Sequence, residues 1–175
     1  MDGRKILEVI GIYRKHFTEK GIKVFVFPEG MQINSDSIIE TIGTRRAYFE
    51  KKGIRISDFP PEKIPTSKEE ILAHCHGMLG KMEGFLREGR IEKTFRWLGF
   101  IVGCLWSVEQ YSGLKVEKLA YCHGALDKIE GFVKEDRLDQ AFVWPGFVQG
   151  CLWATGEYSI QDLQNHSRPA EGKEG

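Results

Sequence analysis

HCHGMLGKMEGFLREGRIEKTFRWLGFIVGCLW, from His74 to Trp106, and YCHGALDKIEGFVKEDRLDQAFVWPGFVQGCLW, from Tyr121 to Trp153, read as one stretch written twice. The offset is 47 (122 − 75 at the first cysteine pair, 151 − 104 at the second), and it holds without a gap from Glu70/Glu117 to Ser112/Ser159. More than half of the quoted positions are identical. Each copy reads as a helical hairpin. Leu72, Cys75, Leu79, Met82 and Leu86 alternate by three and four, as do Leu119, Cys122, Leu126, Ile129 and Val133, which places an apolar seam along one helix face. Gly89 and its counterpart Asp136 end that helix, both residue types suited to the left-handed region. The return helix, from about Ile91 and Leu138, is apolar on nearly every face and should be surrounded by protein. Its paired glycines, Gly99 and Gly103, then Gly146 and Gly150, predict close backbone approach, because glycine costs roughly 1 kcal/mol in a helix that gains nothing from it. Pro145, where the first copy has Leu98, should kink the helix by removing a hydrogen bond and clashing with the Ala141 carbonyl.

Upstream, ILEVIGIYRKHFTEKGIKVFVFP (Ile6–Pro28) recurs as IIETIGTRRAYFEKKGIRISDFP (Ile38–Pro60), at an offset of 32 (38 − 6). Ile6, Ile10, Tyr13 and Phe17 have helical spacing. Gly21 and Gly53 follow as helix stops, and 22–27 and 54–57 read as short strands, the first ended by Pro28. Ser37-Ile-Ile-Glu40 and Ser67-Lys-Glu-Glu70 both read as capping boxes. The order is therefore A–A′–B–B′: A over 5–28 and A′ over 37–60 within 1–65, then B over 67–112 and B′ over 114–159 within 66–169. The proline-rich stretch 58–66 is the linker, Ser159 caps a short C-terminal helix, and 170–175 is expected to be a disordered tail. The fold class is mainly α, with α+β open as an alternative. Duplicated hairpins form a four-helix bundle with a pseudo-two-fold axis, preceded by two helix–short-strand units. Because two-fold symmetry dominates homo-oligomers, the chain reads as a pseudo-dimer in one polypeptide, and so as a monomer.

The run RWLGFIVGCLW, with EYSIQDLQNHSRP after the second copy, resembles a group of short, uncharacterised bacterial proteins. They carry one A-like and one B-like unit and an Asn-His-x-Arg-Pro ending. The resemblance spans most of the chain, with each unit used twice. It implies no activity and transfers no catalytic residue, and Pro145 departs from its pattern.

The chain has 175 residues with 25 basic and 25 acidic side chains. A zero balance gives no global attraction to nucleic acid or an anionic membrane. The first 65 residues are slightly basic and the rest slightly acidic. The N-terminal stretch MDGRKILEVIGIYRKHF has charges where a secretory leader would be apolar. The longest apolar run, Trp97–Trp106, is about half of the roughly 20 residues that a membrane span needs. A cytoplasmic protein with reduced cysteines is expected.

Candidate sites come from positions kept in both copies. His76 and Glu83 lie seven apart, on one helical azimuth, and His123 and Glu130 repeat them. Arg90 and Arg137 are available as partners, so this polar flank reads either as hydrogen-bonded boundary or as a binding face. Trp97, Trp144, Trp106 and Trp153 read as core or as the lining of a pocket or interface. Cys75, Cys104, Cys122 and Cys151 read as packing residues. A metal held by His76, His123, Cys75 and Cys122 is the alternative, but the usual Cys-x-x-Cys spacing is absent. No cofactor and no catalytic residue is assigned. The preferred function is an interaction or regulatory protein that binds a protein or small molecule. The alternatives are a metal- or small-ligand-binding bundle, an enzyme with a His/Glu acid–base pair, and a nucleic-acid-binding protein using Arg45-Arg46 and Lys51-Lys52. Neither a membrane nor a nucleic acid is the expected partner.

Overall fold

A computed structural model describes residues 2–27, 33 and 37–168. It is mainly α, as expected. The helices are α1 (Gly3–Glu19), α2 (Ile38–Lys51), α3 (Lys68–Arg87), α4 (Ile91–Leu105), α5 (Lys115–Lys134), α6 (Leu138–Ala154) and α7 (Ile160–Ser167), with a π-helical turn over Trp106–Gln110. No helix among the described residues is long and apolar enough to cross a membrane. The proposed tail, and Pro28 as the end of the first short strand, lie outside the described residues.

The return helices α4 and α6 pack on each other at the centre, with α3 against α4 and α5 against α6. The glycines explain how they come so close. A Cβ on Gly99 would overlap the Val143 carbonyl, and one on Gly146 the Arg96 carbonyl. A Cβ on Gly103 would overlap the Phe147 carbonyl, and one on Gly150 the Phe100 carbonyl. These contacts are reciprocal at the offset of 47 (96 and 143, 100 and 147). The Cys104 thiol donates to the Gly150 carbonyl (3.5 Å) and the Cys151 thiol to the Gly103 carbonyl (3.4 Å). Helix α6 continues through Pro145.

The A helices attach crosswise. Helix α1 packs on α5 and α6, whereas α2 packs on α3, so A lies on B′ and A′ on B. Their apolar stripes join one core that includes Ile6, Ile10, Phe17, Ile42 and Phe49. Gly21 and Gly53 adopt φ of +71° and +72° as predicted, and Gly89 and Asp136 are likewise left-handed at +76° and +59°.

Two local expectations are corrected. The described residues contain no strand, so A and A′ are not helix–strand units. The segments 22–27 and 54–57 lie across different hairpins, where Phe25 N–H donates to the Ala120 carbonyl (3.0 Å) and Ser57 N–H to the Ala73 carbonyl (3.2 Å). The alternating apolar pattern reflects contact with a helix, and neither segment has a neighbouring strand with which to build a ladder. The second correction is at Ser37, which is left-handed (φ 50°) with no side-chain cap bond. The box at Ser67 is complete: Glu70 N–H donates to Ser67 Oγ (3.2 Å) and Ser67 N–H to Glu70 Oε1 (3.1 Å). Ser159 caps α7 in the same way, with Asp162 returning the bond.

Candidate functional site

The polar flank of the hairpins faces the A helices. The Nδ1–H of His76 donates to the Ile54 carbonyl (2.8 Å), and that of His123 to the Ile22 carbonyl (3.0 Å). Both rings are buried, His76 stacked on Phe49 and His123 tilted against Phe17, with centroids 5.2 Å apart in each case. Glu83 binds Arg46, and Glu130 binds Arg14 (2.7 Å). Arg90 and Arg137, the partners suggested by sequence, lie instead over the rings of Phe85 and Phe132. The four residues of the flank therefore join A′ to B and A to B′, with matching bonds at offsets of 32 and 47. The basic clusters of α2 are engaged here too: Arg46 by Glu83, and Lys52 by Glu109 (3.0 Å).

The cysteines are all buried and free. Burial, and the adjacent Cys75, push the Cys104 thiol well above its ordinary pKa, and burial with Cys122 does the same for Cys151. A thiol held in its neutral form is a poor metal ligand. Among the described residues no three His, Cys, Asp or Glu side chains gather closely enough to hold a metal ion.

The tryptophans separate into two environments, and this leads to the cavity. On the B′ side Trp144 is buried, and its Nε1–H donates to Gln140 Oε1 (3.0 Å), whose Nε2 donates to the Ile33 carbonyl (3.1 Å). Phe27 fills the space beside it, with its ring against Trp106, Tyr121, Trp144 and Phe147. On the B side Trp97 turns edge-on to Phe85 (4.8 Å) and lines a cavity of about 410 Å³. Its floor and walls come from α3 (His74, Met78, Lys81), α4 (Arg96, Trp97, Phe100), the linker (Asp58, Phe59, Pro61) and Gln149 of α6. Helix α7 closes it with Ile160, Leu163, Gln164 and Ser167. The volume lies at the small end of the range for organic-ligand sites, roughly 300–1,000 Å³.

Part of the cavity lining falls where the two copies differ. At the offset of 47, His74, Met78 and Arg96 correspond to Tyr121, Ala125 and Val143, and Gln149 corresponds to Val102. His74, Arg96 and Gln149 were missed by sequence reasoning because it searched for identities. The signal was in the exceptions: His74 and Arg96 of B stand opposite tyrosine and valine in B′, and Gln149 of B′ stands opposite valine in B.

The polar groups of the cavity have defined states. Phe59 N–H donates to His74 Nδ1 (3.3 Å), so a neutral ring carries its hydrogen on Nε2. Burial, reinforced by the Lys81 charge and opposed by Asp58, lowers the His74 pKa to about 4, so the ring is neutral at pH 7. Lys81 reaches Asp58 at 3.4 Å, with both side chains exposed. Gln149 is held by its amide nitrogen, which donates to Tyr13 Oη (2.9 Å) and Ser167 Oγ (3.0 Å) and so ties α6 to α1 and α7. Arg96 has its guanidinium pKa lowered by burial, and its Nε is buried with no hydrogen-bond partner. Trp153, fully buried, packs against His74 (5.1 Å), Phe100 (5.4 Å) and Phe59 (5.7 Å), and its Nε1 also has no partner.

Comparison with protein-family models, with curated proteins and with solved structures gives no match.

Proposed function

We propose that this protein works by binding a small organic molecule in the cavity between α3, α4, α6 and α7, as an interaction or regulatory protein of the cytoplasm and not as an enzyme. The observation that carries this reading is the asymmetry of the two halves. On the B′ side Phe27 and Trp144 are buried, whereas their counterparts Phe59 and Trp97 are half-buried and line a cavity of about 410 Å³. At the matching positions B′ carries Tyr121, Ala125 and Val143, where the cavity presents His74, Met78 and Arg96. A wall of aromatic and aliphatic side chains with a few convergent polar groups is the usual composition of a small-ligand site. The central α4–α6 pair, closed by reciprocal glycine contacts, supports a monomeric pseudo-dimer in which one half has specialised.

A neutral aromatic probe tests the reading. Titration of 3-phenyl-1-propanol, followed by ligand-detected NMR and calorimetry, should show saturable binding to the wild type. Leu163→Trp, which fills the cavity from α7, should abolish it while circular dichroism stays unchanged. No saturable binding of this alcohol or of the corresponding carboxylate and ammonium, or equal binding by the filled variant, overturns the proposal.

A further inference from the structure

We infer that the ligand is a monoanion, an organic acid whose apolar body lies on Trp97 and Phe100 and whose negative group is taken by Arg96. This deepens the binding function proposed above and rests on it.

The inference begins with unmet donors. Two buried side-chain nitrogens lack a hydrogen-bond partner among the described residues, Arg96 Nε and Trp153 Nε1. Arg96 lines the cavity, and Trp153 packs on three of the lining residues. Buried polar groups are nearly always satisfied, so two unmet donors beside one cavity, with no others among the described residues, point to a missing acceptor. A buried N–H is costly to leave without one, and the other half has Val143 in place of Arg96. The remaining polar groups agree. His74, neutral with its hydrogen on Nε2, is a third donor. The charged lining residues are Lys81, Arg96 and Asp58, which leaves one positive charge (2 − 1). Asp58 is engaged by Lys81, and the charge of Glu92, one turn before Arg96 on α4, acts on the guanidinium from an exposed position where water screens it. A single carboxylate or comparable anion would balance the site and meet its donors, and Arg is suited to a planar two-oxygen acceptor. A cation or a neutral hydrocarbon would leave Arg96 Nε unmet.

A charge-matched series separates this inference from the function on which it rests. The probes are 3-phenylpropionate, 3-phenyl-1-propanol and 3-phenylpropylammonium, which share an apolar body and differ in charge. Wild-type protein should bind the carboxylate at least tenfold more tightly than the alcohol, and the ammonium most weakly. Arg96→Met should bring carboxylate and alcohol to equal affinity, whereas Arg96→Lys should keep part of the difference. Alcohol or ammonium binding as tightly as carboxylate overturns the anion assignment and leaves the binding function standing. Failure of all three probes to bind overturns both. The ranking on the wild type decides the matter even if a variant does not fold.

Discussion

Glu109 and Glu157 serve the same purpose in the two halves although they stand 48 residues apart, not 47. Glu109 is bound by Lys52, Lys68 and the Tyr48 hydroxyl, and Glu157 by Lys20, Lys115 and His16. Lys52 and Lys20 are 32 apart, as are Tyr48 and His16, and Lys115 and Lys68 are 47 apart. The partners therefore keep register while the carboxylates do not. The backbone makes up the difference. After Trp106 the first copy continues in a π-helical turn, whereas the second leaves its helix at Ala154 and turns through Gly156 at φ +79°. Two backbones thus deliver one carboxylate to one cation pair.

Glu157 makes acid sensitivity a prediction. Burial alone would raise its pKa, but hydrogen bonds from Lys115, Lys20 and His16 hold it at about 2. A depressed carboxyl contributes stability that is present above its unfolded value, about 4.3, and is lost as pH falls through 2. Glu157→Gln should lower stability at pH 7 by about 1.5–3 kcal/mol, since charge-assisted hydrogen bonds are lost while Lys20 and Lys115 stay half-exposed, and should flatten the stability curve between pH 4 and 2. Urea titrations at stepped pH measure both effects, and an unchanged slope would count against the buried pair.

His74 acts in a higher window. Its pKa is lowered to about 4 in the folded state, so between about 6.5 and 4 the unfolded chain binds more protons and stability falls as pH falls. His166, lowered first by burial, adds in the same direction. His74→Tyr, the residue of the other copy, should remove part of that slope and leave the His166 part. NMR titration of the two ring signals provides an independent measurement, and a His74 pKa near 6.5 would rule the assignment out.

Arg96→Met should stabilise the ligand-free protein, by roughly 1–3 kcal/mol for removal of an unsatisfied buried donor. A structural arginine would show the opposite sign. Thermal melts without probe decide between them.

Gly103→Leu and Gly150→Leu should each destabilise more than Cys75→Ala. Even a Cβ at either glycine overlaps a backbone carbonyl of the facing helix, and overpacking costs about 1–3 kcal/mol or more. His76→Gln with His123→Gln should lower stability by on the order of 1 kcal/mol per lost buried hydrogen bond and leave 3-phenylpropionate binding unchanged. Loss of binding at unchanged stability would return these histidines to the site.

The fragment 37–112 contains α2, α3 and α4, and so keeps the α2–α3 contact. It should dimerise through the glycine face of α4, while the full chain remains monomeric. Light scattering on both tests this, and a monomeric fragment or a dimeric full chain would each count against the pseudo-dimer.

The sequence by itself determined the helices and most of their ends, the start of α2 at Ser37 excepted. Helical periodicity, the Ser67 box and the left-handed stops at Gly21, Gly53, Gly89 and Asp136 are local chemistry, settled by backbone sterics and hydrogen bonding within a few residues. It also marked the close face of α4 and α6, because glycine at four-residue spacing in an apolar helix has few other uses. Only the tertiary structure decided that A lies on B′, that 22–27 lies along a helix and not in a sheet, and that His76 and His123 bond to carbonyls of the A segments. The cavity belongs to that second group. His74, Arg96 and Gln149 are far apart in the chain, and their convergence depends on how α3, α4, α6 and α7 pack. Whether a space is filled depends on the summed volumes of residues from all of them, which no single stretch of sequence records.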